Sequence, residues 1–199
     1  MPRLIRYYGQ NHVHFITTST YRRARLFDFE RFRRIFARSL GDVRDALRFK
    51  LIGYVLMPEH FHILLWPGDQ ANPSEIVRSL KIRTAMQILK ELRDANRQPW
   101  YSRMLSKLVL PETVHSPATY RIWQRRFYDM NICSERKLQE KLTYIHNNPV
   151  KRRLVESADK WPWSSFGYSR FEDDSILKRW IEFSNRRRGK LRRVCAIRT

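Results

Sequence analysis

Hydrophobic and β-branched residues crowd positions 12–20, where Val13 and Phe15 alternate with His12, His14 and Ile16. A period of two predicts a strand, with Val13 and Phe15 on one face and His12, His14 and Ile16 on the other. The period then changes. Phe32, Ile35, Phe36, Leu40 and Val43 recur at helical steps, a stripe that predicts an amphipathic helix capped by Asp28 with arginines on its opposite face. Positions 49–56 and 59–66 read as two more strands, and the Met57-Pro58 connection is short enough for an antiparallel hairpin. Asn72-Pro73-Ser74-Glu75 is a helix start with Asn or Ser as cap. The helix that follows carries Ile76, Val77, Leu80, Ile82, Ala85, Ile88, Leu89 and Leu92, with Arg78, Lys81 and Arg83 on or near its exposed side. From 96 to 119 the periodicity lapses and prolines stand at 99, 111 and 117, which predicts an irregular or inserted loop. Positions 122–129 resume as a fourth strand. Ser134-Glu135 opens a helix through Leu138, Leu142 and Ile145 that ends near Pro149, and Trp161-Pro162-Trp163-Ser164-Ser165 predicts an aromatic turn pinned to the core.

The order is strand, helix, strand, strand, helix, strand, then an extra helix. This pattern predicts an α+β fold of the ferredoxin-like (split βαβ) plan, a four-stranded antiparallel sheet backed by two helices. Side chains on the third strand would then occupy the open sheet face. The expected division is a domain over 1–170 and a basic tail over 171–199, the latter including the run Arg186-Arg187-Arg188-Gly189-Lys190-Leu191-Arg192-Arg193.

Composition narrows the partner. The chain has 199 residues, 42% hydrophobic and 13% aromatic, enough for a packed core and not a disordered composition. Forty Lys and Arg against nineteen Asp and Glu leave a net charge of +21, which favours polyanions, nucleic acid first and an anionic membrane second. No apolar run approaches the about 18 residues that span a bilayer, and no signal-peptide pattern opens the chain. The expectation is a cytoplasmic protein associated with the nucleoid. Cys133 and Cys195 are too few for a cysteine zinc site.

Two stretches carry candidate chemistry. His60 and His62 project side by side from the third strand and could hold one divalent metal ion; the plainer reading is two partly buried histidines. His12 and His14 repeat the pattern on the first strand and compete for the same role. On the last helix Tyr144 and Asn148 are four apart and share a face. A tyrosine hydroxyl beside a metal can attack a phosphodiester, and Asn148 could add a third ligand. The alternatives are that Tyr144 is a packing aromatic and that Asn148, which precedes a proline, caps the helix. Tyr128 is a competing nucleophile. His146 lies roughly 200° around the helix from Tyr144, a poor place for its general base. Gln124, Arg125 and Arg126 read as DNA contacts, with only one of the two arginines facing the sheet surface, and Lys81 and Arg83 join them as basic contacts.

The motifs Met57-Pro-Glu-His-Phe-His62, Trp123-Gln-Arg-Arg-Phe-Tyr128, Tyr144-Ile-His-Asn-Asn-Pro-Val150 and Trp161-Pro-Trp-Ser-Ser165, in that order, resemble the REP-associated tyrosine transposases. These are relatives of the single-tyrosine HUH transposases of insertion sequences, and the similarity extends from about Tyr8 to Phe166. The resemblance implies that His60 and His62 are the metal pair, Asn148 the third ligand and Tyr144 the nucleophile. It implies a divalent ion, magnesium or manganese, and no small-molecule cofactor. The implied partner is single-stranded or hairpin DNA, nicked and rejoined through a 5′-phosphotyrosine link, with no membrane role. The residue before the first histidine is commonly Asn in the family and is Glu59 here. Two rival classes share the scaffold: a non-catalytic DNA-binding regulator and an RRM-type RNA-binding protein. The latter's Arg/Lys-Gly-Phe-Gly-Phe strand motif is missing from the sequence.

Overall fold

The computed structural model describes residues 12–68, 71–94, 99–111 and 118–167. Four strands, β1 (Val13–Ser19), β2 (Lys50–Met57), β3 (His60–Trp66) and β4 (Tyr128–Ile132), form one sheet in the order β2-β3-β1-β4. Every neighbouring pair is antiparallel, so the plan is the split βαβ expected from the element order. Alternation along the strands divides the apolar residues between two faces. Ile16, Phe61, Ile63 and Leu65 join a core with α1 (Glu30–Leu47) and α2 (Pro73–Asp94). Val13, Phe15, Val55, Leu64 and Ile132 join a second core, closed by Leu138 and Ile145 of α4 (Glu135–Lys151). Gly53 permits the close approach of α4, because a Cβ there would meet Leu142 Cδ2 at 2.7 Å.

The face that carries His60 and His62 is therefore covered by α4 rather than open. Positions 122–127 are not a strand. Trp123 keeps only an isolated antiparallel bridge to Thr20 while its indole buries in the α1/α2 core, where Nε1 donates to Thr84 Oγ1 at 2.9 Å, and continuous pairing with β1 starts at Tyr128. The stretch expected to be irregular contains α3 (Pro99–Leu108). Pro99 sits at its first position, where a missing N–H costs nothing, and Trp100 stacks on Phe29 with ring centroids 4.0 Å apart. The cap of α1 is Phe29, without a side-chain bond; Asp28 instead pairs with Arg25 at 2.7 Å.

Pro149 does not end α4, which runs on to Lys151. In this last turn the proline deprives only the Ile145 carbonyl of its helical donor. Burial of Asn148 and Pro149 outweighs the extended preference of a residue before proline. The aromatic turn is fastened along the outer edge of β2: Leu56 N donates to Trp163 O at 2.8 Å, Ser165 N to Tyr54 O at 2.9 Å and Trp161 Nε1 to Leu56 O at 3.0 Å. The expected tail over 171–199 and its boundary at 170 lie outside the described residues, of which no helix is long and apolar enough to cross a membrane.

Leu138 is fully buried between α4 and the sheet. Leu138→Ala is expected to cost about 2–5 kcal/mol of stability. Urea unfolding checks this, and an unchanged midpoint would mean that this contact does not hold α4 in place.

Candidate active site

The antiparallel register sets His62 opposite Thr17 and His60 opposite Ser19. Thr17 Oγ1 and His62 Nδ1 are hydrogen-bonded at 2.6 Å. On the other ring, His60 Nδ1 lies 3.2 Å from Glu59 Oε1, and a carboxylate can only accept, so Nδ1 carries the proton. The lone pair of His60 Nε2 is thereby aimed at His62 Nε2, 3.2 Å away. Asn148 places its amide end 3.1 Å from that same His62 Nε2.

Burial lowers the pKa of His62 to about 3, with smaller contributions from His60 and Lys141. Burial also lowers the pKa of His60; Glu59 pulls it back, and Arg152 and Arg23 push it down again. Both rings are consequently neutral near pH 7. Two neutral rings with inward Nε2 atoms and an adjacent amide form a donor set suited to a cation. Imidazole nitrogens bind metals at about 2.0–2.1 Å, so two of them 3.2 Å apart can share one ion. Reversing the Asn148 amide, whose O and N are assigned from their surroundings, would turn Oδ1 toward the same point. His60, His62 and Asn148 could hold such an ion and leave positions open for a substrate oxygen. Glu59 meets His60 on the opposite edge of the ring and orients it, as a carboxylate behind a metal-binding histidine does. Burial pushes the Glu59 pKa up, but His60, Arg152 and Arg23 outweigh it and hold the carboxyl below its ordinary value.

Tyr144, Asn148 and Lys151 follow one another at helical spacing along α4. The Tyr144 ring stands edge-on to His62, centroids 5.3 Å apart, and to Phe15 at 6.0 Å. Lys141 Nζ and Lys151 Nζ each lie 5.6 Å from its centroid. At 36% exposure the tyrosine is packed at its sides yet reachable. It shares a cavity of about 320 Å³ with both histidines and Asn148. Thr17, Ser19, Arg23, Lys151 and Arg152 complete the lining, so among the described residues three cations and no acid line the cavity.

The other sequence candidates sit elsewhere. His14 projects from the opposite face of the sheet, its Nδ1 2.8 Å from Asp129 Oδ1, and alternation puts His12 on that face too. Tyr128 packs edge-on to Phe15 at 6.3 Å but does not line the cavity. His146 faces Ser165 Oγ at 2.9 Å, away from Tyr144. Lys81 and Arg83 belong to α2, on the far layer: Lys81 Nζ donates to Gln124 O at 2.6 Å, and Arg83 pairs with Asp42 at 3.4 Å. Gln124, Arg125 and Arg126 are exposed on a turn joined to the end of β1, where Gln124 N donates to Ser19 O at 2.9 Å. The sequence reading missed Arg23, Lys151 and Arg152. For the last two a signal existed, since they continue the Tyr144–Asn148 face once α4 is allowed to run past Pro149.

A histidine whose pKa is lower folded than unfolded binds fewer protons in the native state, so stability is full above about pH 6.5 and falls as pH drops. For His62 the window runs from about 6.5 down to about 3. With chelator present, the melting temperature at pH 5 is expected to lie below that at pH 7.5, and His62→Gln should shrink the gap. A pH-independent melting temperature would contradict the buried neutral pair.

A family model described as transposase IS200 like matches residues 7–108, just over half of the chain, including both histidines but not α4. A REP-associated tyrosine transposase of Haemophilus influenzae is 31% identical over 119 residues, 59% of each chain. One from Escherichia coli is 25% identical over 118 residues, 59% of this chain and 54% of that protein. The chain thus spans less than two thirds of the curated relatives it matches. Among solved structures, a REP-associated tyrosine transposase bound to a REP hairpin superposes with a TM-score of 0.63 over 84% of each chain at 21% identity, a likeness of fold. The chain belongs to the IS200-like transposase family.

Proposed function

We propose that the chain is a metal-dependent nickase and strand transferase acting on single-stranded DNA through a 5′-phosphotyrosine link, with hairpin DNA as its recognition element. The observation that carries this reading is the convergence of the His60 and His62 Nε2 atoms, the Asn148 amide and the Tyr144 ring on one basic cavity. The net charge of +21 suits a polyanionic substrate. The curated relatives are named for REP sequences, and the solved structure of similar fold is bound to a REP hairpin.

In this mechanism Tyr144 Oη forms a bond to the scissile phosphorus while the bond from phosphorus to the 3′ oxygen breaks. The phenolic proton is passed on, and the departing 3′ oxygen leaves as a hydroxyl. One phosphodiester replaces another, so a second 3′-hydroxyl can reverse the step and join new ends without an outside energy source. Phe15 and His62 fix the tyrosine ring from its edges, and Lys141 and Lys151 lie close to it. Glu59 keeps the His60 proton on Nδ1, and Thr17 anchors the Nδ1 edge of His62, which leaves the Nε2 edges of both rings inward. His60, His62 and Asn148 would hold a divalent ion, which would supply Lewis-acid polarisation of a phosphoryl oxygen. Imidazole donors suit manganese, and magnesium is the oxygen-preferring alternative.

Incubation with hairpin-flanked single-stranded DNA and Mn²⁺ should give a covalent adduct on a denaturing gel, abolished by EDTA. Tyr144→Phe, which keeps the ring contacts, should bind DNA with unchanged affinity and give no adduct; persistence of the adduct would move the role to another residue, Tyr128 first. Thr17→Val removes the support behind His62 and is expected to lower metal affinity about 10- to 100-fold. Metal titration of the cleavage rate reads this directly, and an unaltered titration would rule that support out.

A further inference from the structure

Arg23 and Arg152 come from distant parts of the chain, a turn after β1 and the C-terminal cap of α4. Each nevertheless rests a guanidinium nitrogen on the same atom, Glu59 Oε1, at 3.2 and 2.7 Å. The Glu59 side chain is 4% exposed, whereas the arginines are 61% and 46% exposed. The acid is sealed beneath, and the two cations line the cavity. One carboxylate cannot neutralise two guanidiniums, so the cluster keeps a net positive charge. A guanidinium has five N–H donors in a planar fork, most of which remain after one contact with Glu59.

Left-handed backbone lies at or next to both arginines. Arg22 and Arg23 have φ of 51° and 52°, and Arg153, next to Arg152, has 54°. Non-glycine residues adopt this left-handed region at a cost of about 1–2 kcal/mol each. Thr20 N, donating to Glu59 O at 2.9 Å, ties the strained turn to the carboxylate's own backbone. Glu59 Oε2 is buried with no hydrogen-bond partner among the described residues, an unfavourable placement for an acid kept only for packing.

We propose that Arg23 and Arg152, held at a fixed spacing by Glu59, grip a backbone phosphate of the DNA strand next to the phosphate presented to Tyr144. The inference rests on the nucleic-acid reading above and adds residues that set the position of the strand. Two forks diverging from one anion fit a tetrahedral group with several acceptor oxygens, and such contacts place a strand without reading its sequence. The phosphate gripped is an adjoining one because Glu59 meets His60 at Nδ1. The guanidiniums are thus displaced from the inward Nε2 by a carboxylate and the width of the ring.

The test is fluorescence anisotropy with a labelled single-stranded oligonucleotide in EDTA, across a salt series, with the full chain. Arg23→Gln/Arg152→Gln should lower affinity about tenfold and reduce the salt slope by about 0.7, the value for one phosphate contact on a single strand. Glu59→Gln separates positioning from simple charge. Loss of an acid should tighten binding, as in the control Asp45→Asn on α1, whereas loss of the shared anchor should weaken it. Unchanged slope in the double variant, or tightening in Glu59→Gln equal to the control, would overturn the proposal. Should the double variant unfold, Arg23→Lys/Arg152→Lys keeps the charge without the fork and should lose affinity several-fold at constant slope; wild-type affinity would overturn it. Failure of the wild type to bind DNA would remove this proposal together with the nucleic-acid reading. DNA binding with the expected variant losses but no covalent adduct would support the grip and remove only the enzyme reading.

Discussion

The site depends on the packing of α4 across the second face of the sheet. Leu138 and Ile145 bury against Val13, Phe15, Leu64 and Ile132. Each fully buried aliphatic side chain contributes about 1.5–3 kcal/mol relative to exposure. That apolar contact fixes the rotation of the helix, and the rotation puts Tyr144 and Asn148 over His62 rather than in solvent. Gly53 sets how closely the helix approaches by leaving room for Leu142. A site whose chemistry is polar is thus positioned by hydrophobic area.

Covering that face also determines the electrostatics. Histidines on an open sheet would titrate near their ordinary value; beneath α4 burial holds both neutral, with His62 lowered to about 3. The nearby cations Lys141, Arg152 and Arg23 act in the same direction and disfavour a further positive charge on the pair. Glu59 serves both sides of this neighbourhood, fixing the proton of His60 and drawing together Arg23 and Arg152. A carboxylate at this position can accept from three donors at once, which the amide oxygen of an asparagine would do with much weaker attraction.

Misplaced elements have physical causes. Positions 122–129 have the composition of a strand, but with the Trp123 indole buried and bonded to Thr84 only a single bridge, to Thr20, forms before pairing resumes at Tyr128. The prolines that suggest a loop after 96 include one at the first turn of α3, a position proline favours. Pro149 stands so near the end of α4 that it removes a single hydrogen bond, and treating it as a terminator hid Lys151 and Arg152 from view.

Local patterns alone determined the order of the elements other than α3, the split βαβ plan, the pairing of His60 with His62 on one face and of Tyr144 with Asn148 on another. These follow from the periods of strand and helix, which short-range sequence dictates. Tertiary structure decided the rest. It placed α4 on the face of the sheet that carries His60 and His62 and not on that of His12 and His14, and it put Tyr144 and not Tyr128 in the lining of the cavity. It brought Arg23 to Glu59 and Arg152, contacts between residues 36 and 93 positions apart. No periodicity spans such separations, because the meeting of remote side chains is set by how whole faces pack and not by spacing along the chain.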